Sequence, residues 1–253
     1  MSSKQISRTE NPIYSFAFNI IIPVLILKNG YKWLNNILES SSWISISFKK
    51  INYLNSPSIV FAVALIFPIG YFILDYIKRK NINVVSILGF VNILLTGGIG
   101  VFGASLGLSK NWFILKEGLL PLIIGLSLFL LSIYKKDYFN NIFLNELMFD
   151  RDKIKNSIDK SLRSEFEGIL TITGYYFISG FFISSVIQFI LASFIVVSNP
   201  GDPSFNEEVS TMTWVSYIAV LLPTMIILGK GFMGLISGIE RLTGLSKEEF
   251  LKK

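Results

Sequence analysis

Neither histidine nor cysteine occurs anywhere in the 253 residues. That double absence excludes disulfides, thiolate nucleophiles, zinc sites built on Cys or His, histidine-ligated haem and Ser–His triads. An all-carboxylate oxygen site remains as a protein-built metal option, but no dense acidic cluster supplies one, so neither a metal nor a cofactor is expected. Charge is scarce as well, at 16% of residues where soluble domains carry about 25%. Apolar residues take its place: 51% of the chain is hydrophobic and the mean hydropathy is +0.57. These values describe a chain solvated largely by lipid. The net charge of +6 then reads as Lys/Arg retained on the cytoplasmic side of a membrane, with no nucleic-acid partner.

The fold class expected is all-α: a single polytopic membrane domain over 1–253, a bundle of about six transmembrane helices with interfacial amphipathic helices. The spans are placed at 12–27, 58–77, 84–108, 112–134, 169–197 and 214–234. Met1–Glu10 is polar and the apolar run after it lacks a small-residue cleavage site, so that run is expected to stay as the first span. Pro23 removes the N–H that would pair with the Asn19 carbonyl four residues earlier, which predicts a kink there. In 28–56, Tyr31, Leu34, Ile37 and Leu38 recur at helical spacing, as in an interfacial amphipathic helix.

The third span is rich in glycine. Thr96, Gly100 and Ala104 share one helical face, and Gly103 to Gly107 is a GxxxG match, so Gly100, Gly103, Ala104 and Gly107 are expected to pack against another helix. The long polar segment 135–168 carries Ile142, Leu147, Ile154, Ile158 and Leu162 at intervals near four. It reads as a cytoplasmic amphipathic helix. Pro200, Gly201, Asp202 and Pro203 mark 198–213 as a turn-rich external loop, and Pro223 predicts a kink in the last span. Ser246 and Glu249 form a capping box for a short terminal helix.

Sidedness follows from the cations. Segments on the amino-terminal side of the bundle hold sixteen Lys/Arg and those on the opposite side five, which puts both termini in the cytoplasm.

The residues singled out for function are polar groups at membrane depth: Asn19, Asn92, Lys116, Glu117 and Gln188. A charge at the centre of a span costs roughly 2.5–3.5 kcal/mol on insertion scales, so Lys116 and Glu117 need partners, water or an interfacial position. As helix neighbours they point about 100° apart and cannot simply pair with each other. Asn19 or Asn92 is the expected partner for one of them. A second candidate is an interhelical ion pair between Asp75 and Lys230, each about 24–26 Å from the outer end of its span; local pairing of Asp75 with Lys78 or Arg79 competes with it.

Leu115-Lys116-Glu117-Gly118-Leu119-Leu120, followed by Gly125-Leu126 and an aliphatic run, resembles the central region of a family of small bacterial membrane proteins related to intracellular septation protein A. Thr243-Gly244-Leu245-Ser246 is similar to the end of its members, and the resemblance covers 85–136 and 214–250. It implies a multi-pass protein of the bacterial cytoplasmic (inner) membrane linked to cell-envelope organisation, with no established reaction. Its partners would then be the lipid bilayer and membrane or cell-division proteins. Two roles stand side by side: a non-catalytic support of envelope or septum assembly, and a small solute transporter or channel-like protein. The second rests on prolines within four spans and on the polar groups at depth.

Overall fold

The structure, a computed structural model, describes residues 14, 16–40, 56–79, 84–144 and 148–252, with the backbone alone for 38, 78, 79 and 84–88. Every regular element among the described residues is helical. Four stretches are long and apolar enough to cross a bilayer: Ser56–Ile77, Lys110–Tyr134, Lys160–Ile195 and Pro203–Thr243; Gly89–Phe102 is a shorter apolar helix. That is the build of a multi-pass membrane protein. The chain divides into two compact units, Met1–Lys116 with Leu191–Val215, and Glu117–Ile190 with Ser216–Lys253.

In the first unit a π-helical turn, Ala17–Ile21, leads into α1, Ile22–Ser40. The Ile22 N–H reaches back five residues to the Ala17 carbonyl immediately ahead of Pro23. The helix is thus widened by one residue just before the proline at which the kink is expected. Helix α1 continues through Lys28 without a break, so the amphipathic stretch belongs to the same helix as the first span. Val24 and Leu27 are buried, whereas Trp33 and Ile37 are exposed. Residues 12 and 13, and the later aromatics Trp43 and Phe48, lie outside the described residues.

Helix α2, Ser56–Arg79, packs on α1 and on α3, Val84–Phe102. The α2–α3 approach is close because Gly97 and Gly100 lack side chains. A Cβ on Gly100 would lie 2.5 Å from the Phe61 ring, and one on Gly97 would lie 2.4 Å from Leu65. The third span ends earlier than the sequence pattern implies. Helix α3 stops at Phe102, and 103–107 is a turn in which the Leu108 N–H donates to the Gly103 carbonyl and Gly107 has φ +65°. Gly103, Ala104 and Gly107 are therefore not a helix–helix face. Gly107 takes the left-handed conformation that closes a helix, and Gly103 sits where a Cβ would meet Pro200 at 2.6 Å.

Helix α4, Lys110–Tyr134, continues through Pro121, and its first N–H, that of Lys110, donates to Asn199 Oδ1. In the second unit α5, Lys136–Phe143, and α6, Arg151–Ser157, are followed by a 3₁₀ turn, Lys160–Leu162, and by α7, Arg163–Ile195. Segment 135–168 is thus two short helices and turns, not one long amphipathic helix. Its buried side chains are Phe139, Asn140, Phe143, Leu144, Phe149, Ile154, Ile158 and Phe166, whereas Ile142 is exposed; Leu147 lies outside the described residues. Ile154 and Ile158 of the expected aliphatic series are in the core and Leu162 packs against it, joined by phenylalanines off the four-residue rhythm that the spacing did not pick out. Asp150 caps α6 by accepting from the Lys153 N–H, and the Arg151 guanidinium donates to the Leu144 and Asn141 carbonyls at the end of α5.

Segment 198–213 is a loop only as far as Asp202. Helix α8, Pro203–Ala219, starts at a proline, whose missing N–H costs nothing in the first turn of a helix. The Glu208 carboxylate accepts from the N–H groups of Val197 and Ser198 and from the Ser198 hydroxyl, which closes the turn. The helix breaks at Val220, three residues ahead of Pro223, and α9, Leu221–Thr243, follows. Gly244 (φ +69°) ends α9, and the capping box of Ser246 and Glu249 opens α10, Lys247–Phe250.

Candidate functional site

The polar groups expected at membrane depth divide between the two units. Lys116 and Asn92 come together. Lys116 is 7% exposed, the only charged residue buried among the described ones. Its ammonium donates to Asn92 Oδ1 at 3.0 Å and to Thr96 Oγ1 at 2.7 Å, and lies 4.9 Å from the centre of the Phe113 ring. Asn92 and Thr96 are four residues apart on α3, so their side chains form one ledge; Phe113 and Lys116 are three apart on α4 and share a face. Two oxygen acceptors and an aromatic face replace the hydration that a buried ammonium loses, which is what makes the site tolerable in an apolar surrounding. Spacing within α3 could have flagged Thr96 as a co-ligand, since it sits one turn from Asn92.

Phe113 ties this site to the core of its unit. Its ring meets Phe205 edge-on at 5.6 Å, and Phe205, fully buried, lies 6.2 Å from Phe61. One residue on, the Asn206 amide donates to the Pro57 carbonyl at 2.8 Å, and a turn later the Ser210 hydroxyl donates to the Val24 carbonyl at 3.1 Å. Asn206 and Ser210, both 1% exposed, pin α8 to the backbones of α2 and α1. Composition gives no hint of them, because both lie in the stretch read as external loop.

Asn19 is half-buried within the π-helical turn, and Glu117 is half-buried at the first position of the second unit. Gln188, in the second unit, donates to Ser184 on its own helix at 2.9 Å, while Ser185 donates to the Gly118 carbonyl at 2.7 Å and joins α7 to α4. Asp75 is half-buried near the end of α2 in one unit, and Lys230 is exposed midway along α9 in the other.

Beyond the membrane-spanning stretches, the Glu249 carboxyl is held below its ordinary value, first by the Ser246 N–H, then by the Ser246 hydroxyl and by Lys153 3.8 Å away. Among the described residues no group of three or more Asp/Glu gathers at metal-binding distance. The arrangement around Lys116 can hold a cation in apolar surroundings; it offers no nucleophile paired with a base. No known protein family, curated protein or solved structure matches this chain.

Proposed function

We propose that this chain is a six-span protein of the bacterial cytoplasmic membrane, with both termini cytoplasmic, that gives non-catalytic support to cell-envelope or septum organisation through protein partners. The observation that carries the reading is the occupied state of Lys116: its ammonium is spent on Asn92, Thr96 and Phe113 within one unit, as a structural fastener is. The absence of His and Cys from the sequence and the resemblance of 115–120 to septation-related proteins point the same way. In this reading α1 with its preceding turn, α2, α3, α4, α7 and the α8–α9 stretch are the six spans. The turn before Pro203 faces outwards, and α5 and α6 face the cytoplasm with the carboxyl terminus.

Reporter fusions at Asp202 and at Ser157 test the sidedness and are expected to mark opposite faces; a shared face sinks the topology. Crosslinking of tagged protein in dividing cells, followed by co-purification, is expected to recover septum-assembly proteins.

One observation favours transport as a second reading. Helical hydrogen bonding is irregular at Ala17–Ile21 and at Val220, each just before a proline, and interrupted helices line solute sites in transporters. Solute flux into proteoliposomes, with no recovery of division proteins, would replace the first reading by this one.

A further inference from the structure

Helix α9 has two unlike faces. Gly231, Leu235, Gly238, Ile239 and Leu242 are buried, whereas Ile226, Lys230, Met233, Gly234, Ser237 and Arg241 are all exposed. At 100° per residue these six lie within about 60° of Lys230, so they form one stripe along the helix. The stripe changes character along its length. Ile226 and Met233, 62% and 70% exposed, flank the lysine with apolar surface. Beyond it come a glycine, where an added Cβ would meet nothing within 4 Å, and a serine. Arg241, about 16 Å farther along at 1.5 Å per residue, is already taken by Glu165. Among the described residues of its unit, Lys230 has no hydrogen-bond or ion-pair partner.

We propose that this stripe seats the headgroup of an anionic phospholipid, with the Lys230 ammonium on the phosphate, the space over Gly234 receiving it and Ser237 donating a hydrogen bond. The inference rests on the reading that α9 lies in the membrane. A lysine within an apolar helix surface extends its charge along the helix toward the nearest polar layer. Lys230 lies five residues, about 8 Å, before Leu235, which is buried with Phe139, Phe149 and Phe250 in the cluster that the proposed topology puts on the cytoplasmic side, so it falls near that boundary of the hydrocarbon core. Gly234 and Ser237, one and two turns on, leave the side chain open space in that direction. What a cation meets at that boundary is phosphate, and a headgroup with net negative charge complements it better than a zwitterionic one. Exposed Ile226 and Met233 suit acyl chains.

The test uses the full chain in nanodiscs of mixed phosphatidylglycerol and phosphatidylcholine, with retained lipids counted by native mass spectrometry. The wild type is expected to keep phosphatidylglycerol over phosphatidylcholine roughly five-fold, as one surface lysine is worth. Lys230→Gln is expected to abolish that preference, Lys230→Arg to retain it, and Lys160→Gln, at an exposed position of the 3₁₀ turn, to leave it intact. An unchanged preference in Lys230→Gln, or none in the wild type, overturns the proposal. So does a fall in the melting temperature of Lys230→Gln in pure phosphatidylcholine, which would show that protein, for example Asp75, holds the side chain; Asp75→Asn is expected to leave lipid retention unchanged. Failure of the chain to enter nanodiscs at all would instead break the membrane reading.

Discussion

The two units are fastened by different chemistry. In the first, polar side chains grip groups of neighbouring helices: Lys116 holds Asn92 and Thr96, Asn206 holds the Pro57 carbonyl, and Ser210 holds the Val24 carbonyl. In the second, Ser185 and Thr173 grip the Gly118 and Gly231 carbonyls in the same way, but a cluster of phenylalanines is added to them. Phe139, Phe143, Phe149 and Phe250 are buried, with Phe149 stacked on Phe250 at 6.3 Å and 6.0 Å from Phe232. The backbone follows suit, since the Asp150 N–H donates to the Phe250 carbonyl and the Lys252 N–H to that of Met148. The contrast teaches where each force is available. Lipid is as apolar as a leucine side chain, so burial alone drives helices together weakly within a bilayer, and close packing and hydrogen bonds must supply the rest. A segment outside the bilayer gains the full hydrophobic term, and in the proposed topology that is where α5, α6 and α10 lie.

Phe250→Ala gives the sharpest break of this comparison. It empties a fully buried site and is expected to cost about 3–5 kcal/mol, read as loss of protection of 148–150 from hydrogen exchange while α2 and α3 stay protected. Loss of protection throughout both units would erase the distinction.

In the polar unit, Asn92→Leu with Thr96→Val strips the Lys116 ammonium of two acceptors. This is expected to destabilise by about 3 kcal/mol, because breaking a buried charged network costs more than never having had it. Adding Lys116→Met is expected to restore most of the loss in a thermal melt. Additive losses would show that the ammonium is hydrated and the contacts incidental.

Gly100→Leu forces bulk into the ring of Phe61 and is expected to cost about 1–3 kcal/mol. The same change at Gly98, where an added Cβ meets nothing within 4 Å, is expected to be nearly silent. Equal losses at both positions would remove close helix approach as the reason for glycine in α3.

The smallest effect concerns the capping box of α10. Glu249 is depressed in the folded protein, so the stability it adds is present above its ordinary value of 4.5 and fades as pH falls through the lower folded value. Hydrogen exchange of 246–252 is expected to quicken below that value in the wild type, and to be faster and less pH-dependent in Glu249→Gln. Ser246→Ala should cost about 1 kcal/mol by the same measure.

How much of this could be read in advance depends on the range of the cause. The span of α4 follows from hydropathy alone, and the capping box of α10 from residues three apart, so both are legible in the chain. The end of α3 is not. Gly103 and Gly107 fit a packing motif by spacing, but the same glycines also permit a turn, and only the neighbours decide; Pro200 occupies the space beside Gly103. Helix α8 was hidden for a similar reason, since Pro203 signals a break behind it and a helix start ahead of it, and the choice rests on Phe205 and Asn206 finding buried places.

By itself, then, the sequence determined the solvent of this protein, the positions of its long apolar helices and the chemistry it lacks, because these depend on composition and on periodicity within one helix. Tertiary structure decided which acceptors face Lys116, that phenylalanines join Ile154 and Ile158 in the core of 135–168, and that α8 is pinned through Asn206 and Ser210. Those outcomes turn on side chains 20 to about 190 residues apart meeting within a few ångströms, and no local pattern carries that distance.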